Sequence, residues 1–190
     1  MRKLKLQMNI TIDGFVGDSE GKLDWMLPEV DEKQIQYLNA LTSHVDTILL
    51  GRKMASESIP HWKNVSTSGK NDPETEYAKF FTDTRKIVFS KTLQDFSGNT
   101  LVENGDLEES IKQLKEKSGN EIIVYGGATF VASLITHNLI DELNLFVHPV
   151  SLAKGLSIFN SVSKFKLIES CLYSNGIILT KYQPLRNNNI

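Results

Sequence analysis

The chain has 190 residues, with 21 lysines and arginines, 23 aspartates and glutamates and a formal net charge of −2. That length suits one domain with an ample core, and the even charge balance offers no surface for nucleic acid or an acidic partner. A lone cysteine, Cys171, excludes an internal disulfide and a cysteine-based zinc site; no apolar stretch is long enough to span a membrane, so a soluble cytoplasmic protein is expected.

The opening MRKLKLQMNITIDG turns polar too early for a signal peptide and reads as a first strand ending at the turn pair Asp13-Gly14. Phe15-Val16-Gly17 resumes an extended run, and Gly17 and Gly21 bracket an acidic loop that closes on Asp24-Trp25. Beyond Asp31, the apolar Ile35, Leu38 and Leu41 share one helical face. DTILLG, residues 46–51, is a short apolar run with sharp ends, as expected of a strand covered on both faces in a parallel sheet. Arg52 and Lys53 follow at the start of a helix, and PHWKNVSTSGKND, residues 60–72, is the most loop-like interior segment. Asp72 caps the next helix, with Pro73 at its first position and Tyr77, Phe80 and Phe81 on one side.

KIVFS (86–90) and EIIVYG (121–126) are two more apolar runs of the same kind. Between them DLEESIKQLKEKSG is the clearest helix, capped by Asp106, with Leu107, Ile111 and Leu114 facing inward and Gly119 ending it. After Gly126-Gly127, the apolar Phe130, Val131, Leu134 and Ile135 form another helical stripe. DELNLFVHPV alternates as a strand, and FKLIESCLYSNGIILTKYQP reads as two strands joined at Asn175-Gly176. Alternating strands and helices followed by an antiparallel finish predict an α/β fold with a mostly parallel sheet and a hairpin at one edge. One domain over 1–184 is expected, with 185–190 as a tail.

Three strand ends carry residues suited to an anion. In such a sheet, ligands sit outside the carboxyl ends of the strands, where helix N-termini point free N–H groups. The glycines at 126 and 127 either serve a turn or allow a ligand close to the backbone. Arg52 and Lys53 oppose the helix dipole unless an anion joins them; solvated charge is the plainer account. Ser90 and Lys91 add a hydroxyl and a cation at the third strand end. Together they suggest one elongated polyanion site of dinucleotide length, and the cations favour a 2′-phosphate. A Gly-bracketed loop carrying Trp25 suits a lid, although the ring could equally plug the core. His44, His61, His137 and His148 show no metal-ligand spacing, no G-x-S-x-G elbow is present, and Cys171 reads as a core filler.

The array TIDGFVG (11–17), W-x-L-P (25–28), D-x-I-x-x-GR (46–52), Ser90-Lys91, Y-G-G-A (125–128) and LIDEL…PV…G…IF (139–159) resembles the dihydrofolate reductase fold. Within it, the chain is most similar to the reductase domain of bacterial riboflavin biosynthesis, over about residues 3 to 183. The resemblance implies a three-layer α/β/α fold and an NADPH-dependent reductase. It implies that Gly51, Arg52 and Lys53 hold adenosine-side phosphates, that Ser90 and Lys91 border the adenine and its ribose phosphate, and that Gly126, Gly127, Ala128 and Thr129 cradle the pyrophosphate. Asn9, Val16 and Gly17 would lie along the nicotinamide, and a homodimer is expected, paired through the hairpin and its Ile177, Ile178, Leu179 run.

Departures from the family pattern bear on substrate. Met54, Ala55 and Ser56 follow Lys53 where a threonine is common, and Leu152-Ala153-Lys154-Gly155 replaces Leu-Gly-x-Gly. Folate reductases carry a carboxylate two residues after W-x-L-P; here that position is Val30, flanked by Glu29 and Asp31. The deaminase motifs of the full riboflavin enzyme are missing. The expected reaction is hydride transfer to an imine-like carbon of a ribosylaminopyrimidine, of the 5-amino-6-(5-phosphoribosylamino)uracil type. Asp13, Asp24 or Asp31 would supply the proton directly or through water, and Asp13 and Trp25 would position substrate. Two alternatives remain, a dihydrofolate, pteridine or broader imine reductase, and an NADP-binding protein without catalysis.

Overall fold

A computed structural model describes residues 1–29 and 31–185; Val30 and the tail from 186 onward lie outside the described residues. Its strands are β1 (Leu4–Thr11), β2 (Phe15–Gly17), β3 (Val45–Gly51), β4 (Arg85–Phe89), β5 (Thr100–Glu103), β6 (Glu121–Gly126), β7 (Glu142–His148), β8 (Leu156–Ser157), β9 (Phe165–Leu172) and β10 (Ile178–Pro184). Its helices are α1 (Glu32–Thr42), α2 (Arg52–Ser66), α3 (Pro73–Asp83), α4 (Leu107–Glu116) and α5 (Ala128–Thr136). Eight strands form one sheet in the order β5-β4-β3-β6-β1-β7-β10-β9, and β2 pairs with β8 beside it. The pairs from β5 to β7 are parallel, and β10 and β9 complete the sheet antiparallel.

Period-two alternation within the apolar runs explains the layers. Leu49 of β3 and Ile122 and Val124 of β6 pack beneath α4 and α5, with Ile111, Leu114, Val131 and Leu134. Ile48, Leu50, Ile123 and Tyr125 face the other way, onto Leu41 of α1, Ala55 of α2 and Phe81 of α3. Helices therefore cover both faces, which is the expected three-layer α/β/α fold. No helix among the described residues is long and apolar enough to cross a membrane.

Some expectations need correction. Residues 60–66 are the second half of α2 rather than loop, despite Pro60 inside the helix. Trp62 carries that half onto α3, with its ring 4.8 Å from Tyr77 and 6.2 Å from Phe81; tertiary packing outweighs the lost helical hydrogen bond. Strand β7 alternates in sequence but is buried on both faces, because α1 covers its Asn144 and Phe146 side. Strand β5 has too few apolar residues to announce itself. The hairpin loop has three residues, Ser174 to Gly176, since Tyr173 N–H donates to Ile177 and Gly176, at φ +84°, donates to Tyr173. Ile177 and Leu179 are buried, so the exposed apolar side chains of this edge are Leu167, Ile168, Leu172 and Ile178.

Candidate functional site

The sheet opens at one end. Strand β1 pairs with β6 only from Leu4–Ile122 to Leu6–Val124, whereas its pairing with β7 runs on to Thr11–His148. Strand β6 meanwhile stays with β3 up to Leu50–Gly126, and β3 with β4 up to Gly51–Phe89. The carboxyl halves of β1 and β6 thus part, and the tips of β4, β3 and β6 stand side by side on one flank of the gap. A crevice at the carboxyl ends of parallel strands is where this architecture takes its ligands.

Helices α2 and α5 rise from the β3 and β6 tips, each under a glycine N-cap, Gly51 and Gly127, with no side-chain cap and no acid in the first turn. A Cβ on Gly51 would sit 3.1 Å from both Gly127 N and Phe130 Cβ, so the two tips approach backbone to backbone. At Gly127 a Cβ would meet nothing within 4 Å; the space before the α5 amides is open. Gly126 is buried, Ala128 is half-buried and Thr129 is exposed. The exposed Arg52 and Lys53 side chains make no ion pair among the described residues. At the third tip, the Ser90 hydroxyl accepts from the N–H groups of Thr92 and Leu93 at 3.2 and 2.9 Å. Lys91 Nζ donates to the carbonyls of Asn104 and Gly105 at 3.0 and 2.6 Å, so both side chains brace this tip.

On the other flank stand the end of β1, the strand β2 and the 18–29 loop. Val16 is in the core and Gly17 is buried, so β2 offers backbone. Asp13 accepts from Thr11 Oγ1 at 2.5 Å, Ser151 Oγ at 2.7 Å, Ala153 N–H at 2.8 Å and Leu152 N–H at 3.0 Å. These donors, the Thr11 hydroxyl first and then Ser151, hold its carboxyl far below the usual carboxylate range, so at neutral pH Asp13 carries no proton to give. It ties the 151–153 loop to the β1–β2 turn. In that loop Ala153 sits at φ +60°, a conformation natural to the glycine it replaces. The next glycine, Gly155, is obligatory, because a Cβ there would lie 2.2 Å from Gly17 O.

Asp31 is occupied as well. Its carboxylate caps α1 through the N–H groups of Lys33 and Gln34 and accepts from Ser174 N–H and Oγ at 2.9 and 2.5 Å. These bonds, the Ser174 hydroxyl above all, lower its pKa to about 2. Asp24 is exposed and makes no hydrogen bond or ion pair among the described residues. Trp25 leans edge-on against His148, with ring centroids 5.3 Å apart, and its buried indole N–H has no partner among the described residues. His148, 2% exposed, reaches Asn9 Oδ1 through Nε2 at 3.1 Å and accepts from Leu27 N–H on Nδ1 at 3.3 Å.

The model of the RibD C-terminal domain family matches residues 2–179, nearly the whole chain. The chain belongs to this family. A curated relative of this RibD C-terminal domain, the uncharacterized protein YyaP of Bacillus subtilis, is 30% identical over 185 residues, spanning 95% of this chain and 94% of YyaP. Among solved structures, the diaminohydroxyphosphoribosylaminopyrimidine deaminase/5-amino-6-(5-phosphoribosylamino)uracil reductase of Thermotoga maritima superposes with a TM-score of 0.67 at 20% identity, over 96% of this chain and 56% of that one. Dihydrofolate reductase from Enterococcus faecalis, complexed with NADP(H), superposes with a TM-score of 0.61 at 16% identity, over 97% of each chain.

This RibD C-terminal domain therefore has the dihydrofolate reductase-like fold. One residue of its gap had no motif to announce it. In sequence His148 falls with Asn144 and Phe146 on the phase of β7 opposite its leucines, so the alternation does not mark it as buried; its two hydrogen bonds come from residues 139 and 121 positions away.

Proposed function

We propose that the protein is an NADPH-dependent reductase acting on a ribosylaminopyrimidine-type substrate. What supports the reading is the parting of β1 from β6 beside two glycine-capped helices without acidic first turns, the α5 cap at Gly127 opening onto free space. Such ends carry partial positive charge and favour phosphate. The amides of Gly127, Ala128 and Thr129 would hold the pyrophosphate, and Gly51, Arg52 and Lys53 the adenosine-side phosphates. Ser90 and Lys91 would brace the adenine edge. Asn9, Val16 and Gly17 would line the nicotinamide end. When bound, the cofactor supplies a hydride; the chain's own residues fix distance, exclude water and manage the proton. Asp13 stays ionised and shapes the floor. Asp24, exposed and uncommitted, is left to relay a proton through water, and Trp25 walls the substrate side.

The pteridine alternative fares less well, because the Asp31 carboxylate is already shared between α1 and the hairpin. Quenching of tryptophan fluorescence on titration with NADPH tests the cofactor. Steady-state NADPH oxidation with the riboflavin-pathway pyrimidine and dihydrofolate side by side tests the substrate. Absence of binding by NADPH and NADP⁺ at millimolar concentration ends the reductase reading. We also propose a homodimer, supported by the exposed Leu167, Ile168 and Leu172 on edge strand β9; light scattering on the purified chain decides it.

A further inference from the structure

His148 is a buried histidine that no step above uses. It ends β7, opposite Thr11 of β1, and is 2% exposed. Its two ring nitrogens have different partners. Leu27 N–H is a donor and reaches Nδ1 at 3.3 Å, so Nδ1 must be bare. A neutral imidazole then carries its hydrogen on Nε2 and donates it to Asn9 Oδ1, 3.1 Å away. Burial disfavours the charged ring, which agrees with the neutral form. With Oδ1 taken, Asn9 is left with an NH₂ that has no protein partner among the described residues. The same ring supports Trp25 edge-on at 5.3 Å. One side chain thus joins the strand flanking the gap to the loop that stands on the same flank.

We propose that His148 is a positioning residue that sets the Asn9 amide with its NH₂ as a donor toward the nicotinamide end of the cofactor and anchors the 25–27 loop to the same point. Seating the cofactor's redox end and seating the substrate-side loop then become one event. The proposal rests on the cofactor reading above. Without the imidazole, the Asn9 amide is free to rotate and present its oxygen, which recognises a different ligand edge. The adenosine end of the cofactor, held at the β3 and β6 tips, lies outside His148's reach.

Two experiments test this. In the ligand-free protein, long-range ¹H–¹⁵N spectra of the histidine ring at neutral pH should show His148 as the neutral Nε2–H tautomer. An Nδ1–H tautomer or an imidazolium overturns the proposal. In the second, calorimetry compares NADPH with 2′-phospho-ADP-ribose, which lacks the nicotinamide. His148→Ala should weaken NADPH about tenfold and leave the fragment unchanged, while His148→Gln, which keeps an N–H near the Nε2 position, should recover most of the loss. Should His148→Ala not fold, Asn9→Ala takes its place and should reproduce the same selective loss. Equal losses for both ligands, or no loss, overturn the role of His148 while leaving the cofactor reading intact. A wild-type protein that binds neither ligand overturns both.

Discussion

Helices α1, α3 and α4 begin under an aspartate, whereas α2 and α5 begin at glycines. Asp31, Asp72 and Asp106 each accept first-turn N–H groups, and each of those first turns carries glutamate. The glycine-capped helices have neither an acidic cap nor an acidic first turn, and α2 adds two cations. Both types of terminus face the same physical demand, since four N–H groups at a helix start lack intrahelical partners and the dipole concentrates positive potential there. The first three helices meet it from their own sequence. The other two leave it to water or to an anion, and they stand on the adjacent tips of β3 and β6, on one flank of the gap between β6 and β1. The difference between the structural helix starts and the two proposed to bind the cofactor thus lies in which residues are missing.

The most direct way to break this contrast is to convert one type into the other. Thr129→Asp puts a carboxylate into the exposed first turn of α5, which by itself favours the helix by roughly 0.3–1 kcal/mol. We expect NADPH affinity to fall at least 100-fold with an unchanged or slightly raised Tm, read by calorimetry and thermal melts on the same sample. A variant that binds NADPH normally would remove α5 from the site. Arg52→Ala comes next. It should weaken NADPH by about 10- to 100-fold, the range of a charge-assisted contact, and NADH by much less. Equal losses for the two cofactors would place the Arg52 charge away from the 2′-phosphate.

How far this contrast could be read beforehand depended on the range of the signal. Asp72-Pro73 and Asp106 announce their helices through contacts three residues away, and EIIVYG-G and DTILLG-R announce buried strands followed by helix starts. These are local patterns, and the structure keeps them. The extension of α2 through Pro60 depends on Trp62 meeting Tyr77 of another helix, a contact with no local trace. The same holds at the site. Cap-type residues at 51 and 127 are legible as glycines in sequence. That Asp13 is committed to Ser151 and Asp31 to Ser174, however, depends on contacts across 138 and 143 positions. An aspartate before a glycine and one before a helix look alike whether or not a distant serine takes up their oxygens.

The complementary change, Asp106→Ala, removes a cap instead of adding one. Helix α4 loses the acceptor for Glu109 N–H, so Tm should fall by a few degrees while NADPH affinity stays put. A loss of binding comparable with that of Thr129→Asp would mean that any weakened helix disturbs the gap, and the two kinds of terminus would no longer be distinct in function.

The smallest effect concerns pH and separates the committed carboxylates from His148. Asp13 and Asp31 have lowered folded pKa values, so their stabilisation is complete above the ordinary carboxylate range and is lost only as pH falls through that range. His148 has a folded pKa depressed by burial, so below about pH 6.5 the unfolded chain binds a proton that the folded protein refuses. Stability therefore begins to decline as pH falls below about 6.5, above the main carboxylate range, with a slope for this residue of at most about 1.4 kcal/mol per pH unit. Urea unfolding of wild type and His148→Gln across that window should show the shallower slope in the variant, since glutamine cannot take up the proton. Parallel slopes would mean that the folded ring takes up its proton as readily as the unfolded chain does, and a charged ring donates from both nitrogens, which the Leu27 N–H contact forbids.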